Sequence, residues 1–402
     1  MKLVTRVKQS FRHSSAFQHI VVYYLLTVII STVIVSLPFL HQDGVELSLI
    51  DGLLTALTAI SATAFTVISI SDTFNVAGQF AIAIILHLGG IGIMTMGTFI
   101  WILLGKKIGI RSRKMIMVDQ NRKSLAGLVR LMMEIFILIL IIEAVGAILL
   151  TIHFFQYFET WNEAFLHGLF LSVSATTNGG LDITGASLIP YQHDYFVQIV
   201  TMILVILGAI GFPVLIEVKD FIHNRLKNRR YRHRFSLFTK ITTLTYFSLM
   251  IVGAIIIFLL EYNEFLAGKT WHEAFFYSLF HSVAARSAGL TTMEISSFSM
   301  ATLLFISILM FIGASPSSVG GGIRTTTFAI MLLAIWKYAK GHTRVKVFSR
   351  EIHNDDIMRA FIVISTALLL CSSSIIILSV TESFSFLEII FEVTSAFGTT
   401  GT

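Results

Sequence analysis

The sequence predicts an all-α, polytopic membrane protein built from four parallel helix–loop–helix modules, and three observations carry that prediction. The first is composition: 55% of residues are hydrophobic, 13% are charged and the mean hydropathy is +0.82, whereas soluble domains carry roughly 25% charged residues. Several uncharged apolar stretches exceed the ~18 residues that span a bilayer. The second is the placement of the basic residues. Of the 29 Lys and Arg, 26 fall in four segments: 4 in Met1 to Arg12, 8 in Lys106 to Arg130, 8 in Lys219 to Lys240 and 6 in Lys337 to Arg359. The third is a recurring short segment of small and hydroxyl residues at the end of an apolar stretch. It reads SATAFTVI from Ser61, SATTNGGL from Ser174, VAARSAGL from Val283 and SAFGTTGT from Ser395.

Short basic loops stay on the cytoplasmic side, so the N-terminus and the three basic loops are expected to face the cytoplasm. The net charge of +6 is then a topology signal. A nucleic-acid binder would gather its charge on one folded face, and here it is spread over separate loops. The same loops suit docking of an acidic protein surface or anionic lipid. Between them the chain leaves and returns through turn-around regions near Asp51, Trp161 and Trp271 that carry almost no positive charge.

The elements follow in order. Module 1 (1–124) opens with Phe17–Leu40, long enough to span and without the small-residue cleavage site of a signal peptide, and closes with Gln79–Leu104. Module 2 (125–235) has predicted helices at Gly127–Phe154 and Asp194–Lys219. Module 3 (236–356) has Ser236–Glu261 and an interrupted Phe298–Tyr338. Module 4 (357–402) has Ile357–Thr381 and then ends inside its loop at Thr402, where a second helix is expected. Modules 2 and 3 show the repeat best, in WNEAFLHGLFLSVSA from Trp161 and WHEAFFYSLFHSVAA from Trp271. Each loop is preceded by a stretch suited to a short descending helix: Asp51 to Ser61, Glu163 to Ser174, Glu273 to Val283 and Glu388 to Ser395. Acidic residues near a helix start favour the dipole's positive end, so the partially negative ends would point toward a common axis and favour a cation there.

Irregular backbone at membrane depth is tolerated only where it is buried in protein or lines a watery cavity. Four such loops around one axis make an ion filter, in which backbone carbonyls replace the hydration shell of a cation. The modules are therefore helix–pore-loop–helix units. Glycine seventh in the loop permits the close approaches this requires. The candidate filter residues are Phe65, Thr66 and Val67 in loop 1; Asn178, Gly179 and Gly180 in loop 2; Ser287, Ala288 and Gly289 in loop 3; and Thr399, Thr400 and Gly401 in loop 4. Counting from the loop starts pairs Gly180 with Gly289, while counting from the Trp residues pairs Gly179 with it. Val67 breaks the glycine rule, which predicts poorer coordination on that side and imperfect rejection of sodium. Arg286 reads as a brace to a carboxylate or to carbonyls, because a bare cation on the axis would repel the permeant one.

The last helix of module 3 is interrupted by Gly313, Ala314, Ser315, Pro316, Ser317, Ser318, Val319, Gly320, Gly321 and Gly322, followed by Ile323 and Arg324. Pro removes a backbone donor and glycine weakens helix. A break beneath the filter reads as a gate loop, anchored by Arg324 through a carboxylate or helix-end carbonyls. Glu134 and Glu143 are candidates for ion-path carboxylates or buried partners of Arg. His87, His167 and His281 stand alone, Cys371 reads as packing, and no metal site, triad or redox motif points to an enzyme.

These loops, with SPSSVGGGIRTTT from Ser315, resemble the membrane subunit of the Trk/Ktr/HKT superfamily of potassium transporters, closest to the bacterial Ktr branch of KtrB/KtrD-type proteins. The resemblance spans essentially the whole chain. It implies potassium as permeant ion and a homodimer with one pore per subunit in the bacterial cytoplasmic membrane. It also implies the gate loop Gly313 to Ile323, and a cytoplasmic ring of KtrA/KtrC-type regulatory subunits that bind ATP and ADP; no cofactor is expected on this chain. Ktr members usually carry glycine where Val67 stands. Sodium remains open as co-transported, activating or competing ion. The rival readings are a secondary solute transporter built on broken-helix repeats, and a non-conducting scaffold for a partner ring.

Overall fold

The computed structural model describes residues 16–92, 127–228, 234–342, 344–348 and 350–401, with 109, 113 and 117. The predicted span from Ile93 to Leu104, most of the basic segment Lys106 to Arg130, and Arg229, Arg230 and Arg232 lie outside the described residues.

The described chain is almost wholly helical. Its one sheet there is a two-residue hairpin, Lys346–Val347 with Arg350–Glu351. Three long apolar helices open modules 2, 3 and 4: α4 (Leu128–Phe154), α8 (Leu237–Glu261) and α12 (Asn354–Thr381). At 1.5 Å per residue each reaches beyond the ~30 Å hydrocarbon layer. The opening helix of module 1, α1 (Ala16–Val35), stops earlier than predicted, because Pro38 turns the chain into a single 3₁₀ turn.

Each opening helix is followed by a shorter one: α2 (Leu49–Ser61), α5 (Trp161–Thr176), α9 (Trp271–Ala284) and α13 (Phe386–Gly398). At 13–16 residues these are too short to cross. All four have a Ser or Thr N-cap with an acidic residue in the first turn: Asp51, Glu163, Glu273 and Glu388. The cap hydroxyl satisfies an orphan backbone donor and the carboxylate matches the helix dipole. In α9 and α13 the capping box is complete. There the Thr270 backbone N–H and hydroxyl, donating at 2.8 and 2.7 Å, hold the Glu273 carboxyl below its ordinary range.

The sequence predicts unbroken second helices in modules 1 and 2 and an interrupted one in module 3. The structure corrects this for module 2. Asp194–Lys219 is two helices, α6 (Tyr195–Ala209) and α7 (Phe212–Lys227), bent by 104°. The cause is Gly211, at φ +99°, with Pro213 in the first turn beyond it. The described part of module 1's second helix, α3 (Val76–Ile91), also ends at a left-handed glycine, Gly92 at φ +94°. Module 3 breaks between α10 (Met300–Ile312) and α11 (Thr325–Ala339), as predicted.

Packing centres on the short helices. Phe170, Leu171, Val173 and Ala175 of α5 and Phe280 and Val283 of α9 are buried against the flanking helices. Close approach is through small residues. A Cβ on Gly146 would stand 2.5 Å from Ser172 Oγ, and Ser172 Oγ donates to the Glu143 carbonyl at 2.8 Å. Such contacts suit helix association in lipid, where apolar burial supplies no driving force between helices.

Candidate functional site

The negative ends of α2, α5, α9 and α13 run into four loops that meet. Two residues in each loop adopt the left-handed conformation: Ala62 and Ala64, Asn178 and Gly180, Ser287 and Gly289, Thr399 and Gly401. The second members form a ring. A Cβ on Gly180 would stand 2.5 Å from Ala64 Cβ and 2.8 Å from Gly289 Cα, and one on Gly289 would stand 2.7 Å from Ala64 Cβ. A Cβ on Gly401 would collide with Ala64 and the Thr63 carbonyl. A side chain here meets both strain and backbone atoms, which is why glycine occupies three of the four positions.

This geometry settles the register of loop 2 and corrects that of loop 1. Gly180, not Gly179, is the partner of Gly289; Gly179 packs toward Leu86 of α3. In loop 1 the residues matching the other loops are Ala62, Thr63 and Ala64, three positions before the predicted Phe65, Thr66 and Val67. Backbone bonds mark the register independently: the amides of Thr63, Gly179 and Thr400 donate to the carbonyls of Thr58, Ser174 and Ser395. Val67 is 66% exposed. Phe65 instead lines an apolar groove against α12 and α13, and Thr66 lines a cavity beyond the ring. The carbonyls of Thr63, Ala288 and Thr400 lie against the ring positions, since a Cβ on Gly401, Gly180 or Gly289 would meet each in turn.

One side of the ring opens into a cavity of about 420 Å³ lined by Ala64, Gly180, Gly289 and Gly401, with Asp182 and Glu294 also in its wall. Asp182 Oδ2 accepts from the Thr184 and Ser187 amides at 2.9 and 3.1 Å, which fixes the loop after Gly180.

The opposite side is covered by the break in module 3. The Ser315 amide donates to the Ala209 carbonyl at 3.0 Å, and the Ser317 carbonyl accepts from Phe212 at 2.8 Å, so the segment docks in the bend of module 2. Pro316 presents its carbonyl to Gly211, where a Cβ would stand 2.7 Å away. Gly322 donates to the Phe397 carbonyl, and Gly313 packs on Gly321 and Gly322. Ala314 has no exposed surface, and its amide donates to the Gly321 carbonyl at 3.1 Å. Ser318 closes the turn onto the Ser315 carbonyl at 2.6 Å. Arg324 donates to the carbonyls of Gly320 and Ser315, the carbonyl anchor among the alternatives read from the sequence.

Arg286 is 1% exposed. Its guanidinium donates to the Tyr246 carbonyl at 2.6 Å and the Gly313 carbonyl at 3.4 Å, and lies 3.9 Å from the Tyr246 ring centroid. It joins loop 3, α8 and the start of the break. Glu143 pairs with His87 at 3.0 Å, so His87 does not stand alone, and Glu134 pairs with Lys219 and Arg130. Both carboxylates tie helices together. His153, Tyr157 and Asp194 form a further surface cluster the sequence reading missed.

Fold and loops together define a helical membrane protein with four re-entrant segments around one axis. The chain belongs to the TrkH family, described as cation transport proteins, whose profile matches residues 2–402. It is 54% identical over 387 residues to Ktr system potassium uptake protein D of Bacillus subtilis (strain 168), covering 96% of this chain and 85% of that protein. The potassium/sodium uptake protein NtpJ of Enterococcus hirae is 31% identical, with 98% and 86% covered. The crystal structure of the potassium transporter TrkH from Vibrio parahaemolyticus superposes with a TM-score of 0.69 at 19% identity, over 96% of this chain and 77% of that one.

Proposed function

We propose that this chain is the membrane subunit of a potassium uptake system, with the ion passing through the ring of Ala64, Gly180, Gly289 and Gly401. The observation that carries this reading is the convergence of four equivalent left-handed positions, with carbonyls of Thr63, Ala288 and Thr400 turned toward them. Rings of such oxygens substitute for the hydration shell of a monovalent cation. The negative ends of four short helices and the carboxylates of the outer cavity raise the local cation concentration. The segment Gly313 to Ile323 closes the other end and acts as the gate. The chain is multi-pass with its N-terminus in the cytoplasm, as the basic loops indicate. It works as a homodimer on a cytoplasmic ring of nucleotide-binding regulatory subunits, with sodium as a second ion that influences transport.

The test is potassium flux in proteoliposomes. Gly180→Ser and Gly289→Ser are expected to abolish or sharply reduce flux while membrane insertion stays normal, because helix hydrophobicity is unchanged. Normal flux through both variants would remove these loops from the pathway.

A further inference from the structure

Two hydroxyls that belong to the ring loops hold the tip of the interrupted segment. The Gly321 backbone N–H donates to Thr399 Oγ1 at 2.8 Å and to Ser287 Oγ at 3.0 Å. The two oxygens are 2.7 Å apart, and Ser287 Oγ stands 3.1 Å from the Thr399 carbonyl oxygen. Ser287 has no exposed surface. Both residues lie two positions before a ring glycine, at φ +80° and +50°, which sets their side chains at the loop-facing end of the ring. The approach is close enough to require glycine. A Cβ on Gly320 would stand 2.6 Å from Ser287 Oγ, and one on Gly321 would stand 2.6 Å from Thr399 Cγ2.

We propose that Ser287 and Thr399 form a hydroxyl switch for which the loop tip and a dehydrated monovalent cation are competing ligands. This rests on reading the ring as the permeation path and the segment as its gate. A lone pair engaged by an N–H is withheld from a cation, and Gly321 fills the space the cation would occupy. When the tip withdraws, two side-chain oxygens are freed at the inner end of the ring, where an entering ion needs replacements for water. Each hydroxyl then keeps the other as a hydrogen-bond partner, and the lone pairs that accepted from Gly321 are the ones a cation takes up, so loop and cation compete for the same oxygens. Ion occupancy and loop position are then linked, and the linkage is reciprocal. Raising potassium draws the loop away, and anything that draws the loop away strengthens binding at the inner position.

The experiment follows the loop directly. Cys371 is the single cysteine of the chain, so Ser318→Cys in a Cys371→Ser background gives one reporter thiol on the loop. Its rate of modification by a soluble thiol reagent is measured in proteoliposomes containing potassium or N-methylglucamine. Potassium is expected to speed modification severalfold. With Ser287→Ala and Thr399→Val added, modification is expected to be fast without potassium, by about tenfold for the loss of a buried hydrogen bond, and no longer to respond to it. Ser287→Thr with Thr399→Ser keeps both hydroxyls and is expected to keep the response, which separates loss of oxygen from misfolding. A potassium response that survives in the Ala/Val variant, or is absent from the reporter protein itself, overturns the switch. Flux through Gly289→Ser tells the two failures apart: if that variant is blocked while the thiol ignores potassium, only the switch falls, and if it conducts normally, the permeation reading falls with it.

Discussion

Replacing Ala64 by glycine should improve potassium handling, and replacing Val67 should do nothing. Ala64 is the one ring member with a side chain, and it holds φ +62°. An L-residue in the left-handed region costs about 1 kcal/mol or slightly more, so the geometry that turns the Thr63 carbonyl toward the ring is held against that strain. The Ala64 methyl is also the group that a Cβ on Gly180, Gly289 or Gly401 would strike. It therefore stands in the space that the missing Cβ atoms of the glycines leave open. Glycine at this position removes both effects. If about 1 kcal/mol of strain limits the population of the coordinating conformation, its removal raises that population by up to about fivefold. Apparent potassium affinity, or the potassium/sodium ratio, should rise by a factor of that order. The assay is concentration-dependent uptake in a bacterial strain lacking its own potassium transporters, with sodium as competitor. Val67→Gly is the matched control, since Val67 is 66% exposed. A change with Val67→Gly and none with Ala64→Gly would refute the register derived from the ring.

Deleting Ser315 to Gly320 removes the cover held by Ala209, Phe212 and Arg324; basal potassium flux in proteoliposomes should rise, and a deletion protein that inserts normally yet conducts less would mean the segment supports conduction. Arg286→Met removes two hydrogen bonds and the stacking on Tyr246 while preserving length. At about 1 kcal/mol per hydrogen bond and about 1–2 for a desolvated cation–π contact, it should destabilise the protein by about 3 kcal/mol, read as a lowered midpoint of thermal unfolding in detergent. An unchanged midpoint would show that Arg286 braces nothing.

Much of the architecture was legible because it is written locally. The acidic residues Asp51, Glu163, Glu273 and Glu388 mark four helices that begin two residues earlier, at Leu49, Trp161, Trp271 and Phe386, each behind a Ser or Thr cap that the acidic pattern alone does not locate. The break at Gly313 to Ile323 announced itself through its glycines and Pro316. The bend at Gly211–Phe212–Pro213 carried the same kind of signal in three residues. The apolar run that continues across it masks that signal.

Loop 1 shows where local signals end. Two small-residue pairs, Thr58–Ala59 and Ser61–Ala62, stand three residues apart, about one helical turn, and each matches the Ser–Ala that opens loops 2 and 4. Helix propensity scarcely distinguishes stopping at one from stopping at the other. What decides is contact with the other three loops, where only the register placing Ala64 beside Gly180, Gly289 and Gly401 brings the Thr63 carbonyl to the ring. The same holds for the pairing of Gly321 with Ser287 and Thr399, residues 34 and 78 positions away in the chain. The sequence alone determined the membrane class, the four modules and the glycine-bearing loops, because burial in lipid, helix starts and helix breaks depend on neighbours within a few turns. Only the tertiary structure decided which atoms meet on the axis, because that depends on how four separately encoded loops fit into one space.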